Sequence, residues 1–306
     1  MLEHEEIADG SLLQGGRGVD HTVIAVKSLD SATKDYGETL GFTMMPGGRH
    51  PWGTENSTAR FENDSYLELL SLYDPSKNEA LTSFLEKHEG GISVGLHTSS
   101  AELSASFLKS RGVETRISDG TIKFEGMPDP PPIFWRSIEL TEGTAVSDAI
   151  FLIEYTQARE AFRKEHTERY GKNKHPNTAK RLASVWIAVR EVDEAVKRYE
   201  RIGLGPTKRT DIPLMSAKGV VLNAGRGSIL LLSPIESKGP VLRFLMQRGE
   251  GVIGTSIEVA SLDTCTGVLG RSGISPEKYS GINGYSIMVE PEHGHGLHLE
   301  MFQASR

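Results

Sequence analysis

The sequence predicts an α+β protein made of four copies of one βαβββ unit, paired into two halves of similar plan. Three observations carry this. A short apolar strand leading into a helical period begins four times, near Val23, Ile92, Val185 and Ile253. The connector Phe84-Leu85 with Glu89-Gly90 is answered by Phe244-Leu245 with Glu250-Gly251. Residues 184–189 also fall on 21–26, and residues 229–233 on 67–71. A repeat of this length has to survive in several segments at once, which makes it stronger than any single propensity.

In the first copy, residues 23–26 read as a buried strand. Asp30-Ser31 then opens a helix through Ala32, Tyr36 and Leu40, stopped by Gly41. Three short apolar runs follow, 42–45, 59–61 and 66–72, parted by Gly, Pro, Asn and Asp turns. The second copy has a strand over 92–96, a helix over 101–109 with a stop at Gly112, and strands near 113–117, 134–140 and 149–155. Val192-Asp193-Glu194-Ala195 matches Leu29-Asp30-Ser31-Ala32 in the third copy, and Arg271-Ser272-Gly273-Ile274 matches Ser110-Arg111-Gly112-Val113 in the fourth. The expected division is a tail over 1–17, a first domain over 18–158, a linker helix over 159–180 and a second domain over 181–306. The linker is strongly charged, so it reads as solvated, with His166 and His175 of little functional interest.

Length allows two domains with ample cores: the chain has 306 residues. A formal net charge of -7 without a Lys/Arg stripe argues against nucleic acid and for a small-molecule partner. Cys265 is the lone cysteine, which excludes an internal disulfide and any cysteine-based zinc site. The acidic N-terminus lacks the pattern of an export signal, and no run approaches the roughly 20 apolar residues of a membrane span, so a cytoplasmic location is expected.

The two halves differ in their polar residues. His21 opens one apolar strand and Glu68 stands alone in another, whereas their counterparts are Ser184 and Leu230. A pair lost from one copy without loss of the pattern serves something other than folding, and this places the candidate site in the first half. Residues 47–56, Gly-Gly-Arg-His-Pro-Trp-Gly-Thr-Glu-Asn, are too rich in special residues for a plain hairpin. Their glycines permit close approach, Arg49 can clamp an oxyanion, and Trp52 offers a flat wall. His50, Thr54 and Asn56 add polar groups, so the segment is expected to border a pocket.

The segments over 18–26, 47–56 and 66–70 together resemble the vicinal oxygen chelate superfamily, and within it the glyoxalase-like branch. The four-module plan covers almost the whole chain; the motif match is confined to the first half. The resemblance implies two domains in which paired modules curl into half-open barrels, with a metal on the inner face held from the first and last strand of each module. Carried over residue by residue, His21, Glu68 and Glu154 become the metal ligands, and Glu68 and Glu154 the candidate acid/base groups. The fourth position falls on Gly91 or Ile92, which cannot ligate; His97 is kept as a pocket residue. One imidazole and two carboxylates would suit Zn, Ni, Co, Mn or Fe as a Lewis acid. Without a metal, Arg49, His50 or Arg136 would have to pair these acids.

The resemblance thus implies a metal-assisted lyase or isomerase acting on a small oxygenated molecule. The alternative is a non-catalytic sequestering protein of the bleomycin-resistance type, and an extradiol ring-cleaving dioxygenase is a third reading. The second half offers Glu300 alone as counterpart of Glu154, with Ser184 and about Gly254 at the first-strand positions, so the nearby His293, His295 and His298 are not expected to form a second metal site. That half is expected to close the barrel or to form a homodimer face.

Overall fold

The structure is a computed structural model that describes residues 10–127, 129–141, 149–170, 174–276 and 278–304, the side chains of 166–170 excepted. The side chain of His166 lies outside the described set. The first module runs β1 (Gly18–Ala25), α1 (Leu29–Lys34), β2 (Met44–Arg49), β3 (Thr54–Arg60) and β4 (Tyr66–Leu72). After α2 (Glu79–Lys87) the second runs β5 (Gly90–His97), α3 (Ala101–Ser110), β6 (Thr115–Gly120), β7 (Trp135–Leu140) and β8 (Ile150–Tyr155). Together they form one curled eight-stranded sheet of order β2-β3-β4-β1-β5-β8-β7-β6.

The second half repeats the plan. Helix α4 (Gln157–Tyr170) leads to β9 (Ala179–Ala188), α5 (Val192–Arg201), β10 (Pro206–Ile212), β11 (Ala217–Ala224) and β12 (Gly227–Pro234). Then come α6 (Pro240–Arg248), β13 (Gly251–Val259), α7 (Leu262–Arg271), β14 (Lys278–Ser280), β15 (Gly284–Val289) and β16 (His298–Ala304). Its sheet has the matching order β10-β11-β12-β9-β13-β16-β15-β14. The α+β fold of two paired half-barrels is therefore the observed one.

Local sequence explains the repeated helices. Ser28, Ser100 and Ser261 each sit in extended backbone and accept an N–H from the first turn of α1, α3 and α7. Helices α3 and α7 then bury residues three or four apart, Ala101, Ser104 and Leu108 in the first and Leu262, Cys265 and Leu269 in the second. Helix α1 ends in a single π turn over residues 35–39, and Gly41, at φ +75°, closes it. One buried cluster containing Ile24, Leu67, Leu69, Val185, Ile187 and Leu231 runs through both halves on the helix-covered side of the sheets.

Strand register fixes what faces inward on the other side. In the first half Val23 pairs with Glu68; at the same place in the second, Trp186 pairs with Leu230. Trp186 fills that barrel, packing with Leu230, Leu232, Ile253 and Met288. Its indole N–H reaches Ser256 Oγ at 2.9 Å; Ser256 in turn donates to Glu300, whose other oxygen takes the Tyr279 hydroxyl at 2.9 Å. The histidine-rich segment before β16 packs against the first half, where Tyr36 donates to the Gly294 carbonyl at 3.0 Å. His295 joins the halves, its ring nitrogens 3.0 Å from Asp35 and 3.1 Å from Glu89.

Several buried histidines make the fold acid-sensitive. Burial pushes His298 down to about 4, and it also lowers His50, His97 and His175 below the ordinary histidine value. A histidine that resists protonation when folded binds more protons once unfolded, so stability is full above about pH 6.5 and is lost as pH falls toward 4. For His298 alone the loss is about 3 kcal/mol. Urea unfolding at pH 7 and pH 5 should show a clear drop in midpoint, smaller in a His298→Gln variant.

Candidate active site

The concave face of the first half encloses a cavity of about 620 Å³. Strand pairing lays side chains across it in rows. One row runs Arg60, Tyr66, His21, Gly95 and Phe151 across β3, β4, β1, β5 and β8. The row beside it carries Thr58, Glu68, Val23 and Ser93. Gly95 is glycine because the His21 ring occupies the place of a side chain: a Cβ there would lie 2.4 Å from the imidazole.

His21 is buried and fixed on every side. Its ring stacks on Tyr66 at 4.4 Å and meets Phe151 edge-on at 5.4 Å. Nδ1 bonds Asp20 Oδ2 at 2.8 Å, and Nε2 lies 3.5 Å from Glu68 Oε2. Neighbours on a strand ordinarily point to opposite faces; a register shift between Val19 and His21 lets Asp20 join the site. Tyr155 donates to the same Asp20 oxygen at 2.6 Å. The Tyr155 proton being so engaged, Tyr66 donates to the Tyr155 oxygen across 3.2 Å. Burial alone would raise the Asp20 carboxyl, yet the His21 and Tyr155 hydrogen bonds and the charge of Arg17 more than offset it and hold it below the usual value.

Glu68 Oε1 accepts from Asn56 Nδ2 at 2.7 Å, which leaves Oε2 toward His21. The glycines of the 47–56 segment set that orientation. Asn56 Oδ1 accepts from the Gly48 N–H at 3.1 Å, and a Cβ on Gly47 would strike that oxygen at 1.8 Å. The segment itself is a strand hairpin rather than a long loop, β2 and β3 with a register shift between Pro46 and Arg49. His50 and Trp52 stack at 4.8 Å and line the cavity with Trp135 and Asn56. Thr54 is buried behind them, its hydroxyl 2.8 Å from His50 Nδ1.

Three residues expected at the site stand elsewhere. Arg49 points outward to Glu55 and lies over the Tyr73 ring. His97 is not among the residues that line the cavity; it accepts the Arg17 N–H at 3.0 Å, with its ring 5.7 Å from that of Tyr155. Glu154 does not join His21 and Glu68. On β8 it is Phe151, Ile153 and Tyr155 that line the cavity, so Glu154 turns away and accepts the Ala101 N–H at 2.9 Å, with Arg136 at 3.9 Å. It is a cap for α3. Glu154→Ala should cost about 1 kcal/mol in denaturant unfolding and leave the chemistry of the cavity unchanged.

The register also corrects the quartet of positions that the superfamily resemblance implies. β5 repeats β1 at a constant offset, so His21 corresponds to Ser93 rather than Gly91 or Ile92. Glu68 pairs with Val23 as Phe151 pairs with Gly95, so its counterpart is Phe151, three residues before Glu154. The equivalents in the second half are Ser184, Leu230, Gly254 and Glu300, one donor only. Among the described residues no three His, Cys, Asp or Glu side chains come together as metal ligands. His21 and Glu68 make two donors, fewer than the three a catalytic zinc site keeps.

Residues 19–203, more than half the chain, match the family model described as a glyoxalase-like domain. The chain belongs to the glyoxalase-like domain family. It is thereby a member of the vicinal oxygen chelate superfamily, whose members typically use a divalent metal. Comparison with curated proteins finds no sequence match. Among solved structures, a mutant of 4-hydroxymandelate synthase from Streptomyces coelicolor is similar over 95% of this chain and 94% of its own, at 13% identity and TM-score 0.66. A hypothetical protein from Staphylococcus aureus is similar over 93% and 98%, at 14% identity and TM-score 0.62. Methylmalonyl-CoA epimerase from Mycobacterium tuberculosis matches 42% of this chain and 91% of its own, at 20% identity and TM-score 0.40. The two full-length likenesses are of fold, and both span the two halves. Among the described residues of this glyoxalase-like protein, no helix is long and apolar enough to cross a membrane.

Sequence reading found His21, Glu68, His50, Trp52 and Asn56, and missed Asp20, Tyr66, Tyr155, Arg60 and the cavity-lining residues of α4. In α4, Arg159, Phe162 and Arg163 line the cavity, so the helix taken for a solvated linker is a wall of the site. Their spacing of three and four was the available signal.

Proposed function

We propose that the first half is a lyase or isomerase for a small oxygenated molecule, with Glu68 as general base and His21 serving the substrate oxygen. The observation that supports it is the line Asp20, His21, Glu68 at the cavity wall, with contacts of 2.8 and 3.5 Å. A pocket that only sequesters a ligand gains nothing from burying an imidazole between two carboxylates, each of which costs solvation. Glu68 Oε2 removes a proton from the carbon next to a carbonyl, and Asn56 steadies the other oxygen. As charge moves onto the carbonyl oxygen, His21 presents Nε2 and supplies a proton, its ring held by Asp20 on Nδ1. Delivery of the Glu68 proton to the adjoining carbon, as His21 takes a proton from the hydroxyl that becomes the new carbonyl, completes an isomerisation; departure of a group from the neighbouring carbon with the Glu68 proton, as His21 takes back its own from the enol oxygen, completes an elimination.

A Lewis-acid metal in this role does not suit a donor set of two side chains, so the oxyanion is assigned to His21. The second reading is sequestration. It is favoured by the walls of Trp52, Trp135, Phe124, Phe162 and Phe151 around a cavity large enough for a drug-sized ligand. Proton NMR in D2O, with a panel of small 2-oxo and 3-oxo acids and hydroxyketones, tests the choice. Enzyme-dependent loss of the signal from the carbon next to the carbonyl is the expected result. Ligand binding without exchange across the panel would transfer the protein to the sequestering class.

A further inference from the structure

Apart from His21 and Glu68, the charged side chains at the cavity fall into pairs, with two exceptions. Arg163 is held by Asp64 and Glu160, and Arg17 lies 3.5 Å from Asp20. Glu139 is paired with Arg116, and Asp119 lies 3.7 Å from Arg136. Arg60 and Arg159 remain. Both line the cavity, and among the described residues neither guanidinium has an ion-pair partner. Among the described residues, each guanidinium lies against a tyrosine ring. Arg60 lies 5.2 Å from the centre of Tyr66, and Arg159 lies 5.3 Å from that of Tyr155. The two hydroxyls of those tyrosines meet at 3.2 Å, so the arginines flank one tyrosine pair.

This arrangement is costly without a guest. Arg159 is 9% exposed, and an uncompensated buried charge is among the more expensive features a fold can carry. Burial and the charge of Arg159 push Arg60 down to about 10, more than Tyr66, Tyr155 and the distant Asp20 carboxylate raise it, so the two cations act on one another. Ring faces stabilise a guanidinium, by roughly 1 kcal/mol each, but they do not replace a counter-charge.

We infer that Arg60 and Arg159 form the binding subsite for an oxyanion of the substrate, a carboxylate or a phosphate ester, lying one tyrosine ring away from His21. The pairing Arg60, Tyr66, His21 along one row sets the direction: an anion gripped by the arginines carries its neighbouring carbons past Tyr66 toward His21 and Glu68. Guanidinium recognition of planar or tetrahedral oxyanions is directional, so the subsite orients as well as holds. The inference deepens the proposed function by naming the substrate class and rests on the same cavity being the substrate site.

Binding alone tests it, independently of turnover. Trp52 and Trp135 line the cavity and report occupancy by fluorescence, against the constant background of Trp186, the third tryptophan. Benzoate and phenyl phosphate should bind at least about tenfold more tightly than benzamide, the worth of one charge-assisted hydrogen bond. Which of the two anions wins separates carboxylate from phosphate. In Arg60→Met with Arg159→Met the advantage should shrink toward unity, while each lysine variant keeps part of it; a melting scan reports whether the variants fold. Equal affinity of benzoate, phenyl phosphate and benzamide for the wild type, or no binding by either anion, overturns the subsite whatever the variants do. Anion preference without proton exchange keeps the subsite and discards the chemistry.

Discussion

Glu68→Gln abolishes most of the proton transfer, by about 10²–10⁴-fold in kcat, while ligand affinity changes little. The substitution is nearly isosteric. The glutamine oxygen can still accept from Asn56 Nδ2, now 2.7 Å from Oε1, so the hairpin that carries Asn56 stays in place. What changes is the other terminus, where an amide replaces the carboxylate oxygen 3.5 Å from His21 Nε2 and can no longer take a proton from carbon. Glu68 is buried and belongs to a strand between two others, so Glu68→Ala would mix lost chemistry with a cavity; glutamine avoids this. His21→Gln tests the other end and should also break the stack on Tyr66. The measurement is the rate of deuterium incorporation by NMR, beside ligand affinity from tryptophan fluorescence. Retention of more than about half the wild-type rate by Glu68→Gln would exclude it as the base and point to another group on the wall.

Why the sequence showed some of this and hid the rest follows from how each residue is placed. The four-module plan was legible because a repeat averages over local noise, and comparison of the two halves named His21 and Glu68 because each is a polar residue in an apolar run whose counterpart, Ser184 or Leu230, keeps the pattern without it. Two other positions were hidden. At Asp20 a bulge turns two neighbours to one face, and nothing in the local composition announces it. On β8 the conspicuous residue is Glu154, although Tyr155 beside it faces the cavity and hydrogen-bonds Asp20. A carboxylate can equally serve a helix N-terminus, and here it serves α3. The missed role of α4 has a different origin. A helix rich in charge reads as solvated until its apolar and cationic residues are found on one face, and that face has a use only when a cavity lies beneath it. Trp186 gives the reverse lesson, since an ordinary buried tryptophan explains why one half-barrel is filled where the other, with Val23, is open.

If the four positions read from the register are right, supplying the two missing donors should create a metal site in a chain that now has two. Ser93→His with Phe151→Glu places donors at the counterparts of His21 and Glu68, and both positions line the cavity. Second-sphere support already exists on one side, because Asp20 holds His21 Nδ1 and leaves Nε2 to ligate. Each added ligand is worth at least as much as an outer hydrogen-bonding partner, ~10–100-fold in affinity, so the double variant should gain ~10²–10⁴-fold for zinc or nickel. Loss of the Phe151 edge contact with His21 costs about 1 kcal/mol in the metal-free form, and bound metal should more than restore the melting temperature. Elemental analysis after dialysis should find about one equivalent in the variant, less than that in the wild type, and an intermediate amount once Glu68→Ala reduces the variant to three donors. A wild type that holds a full equivalent through dialysis would mean that the metal takes donors beyond His21 and Glu68, such as substrate or backbone oxygens. The assignment of the oxyanion to His21 would then have to yield to a Lewis acid.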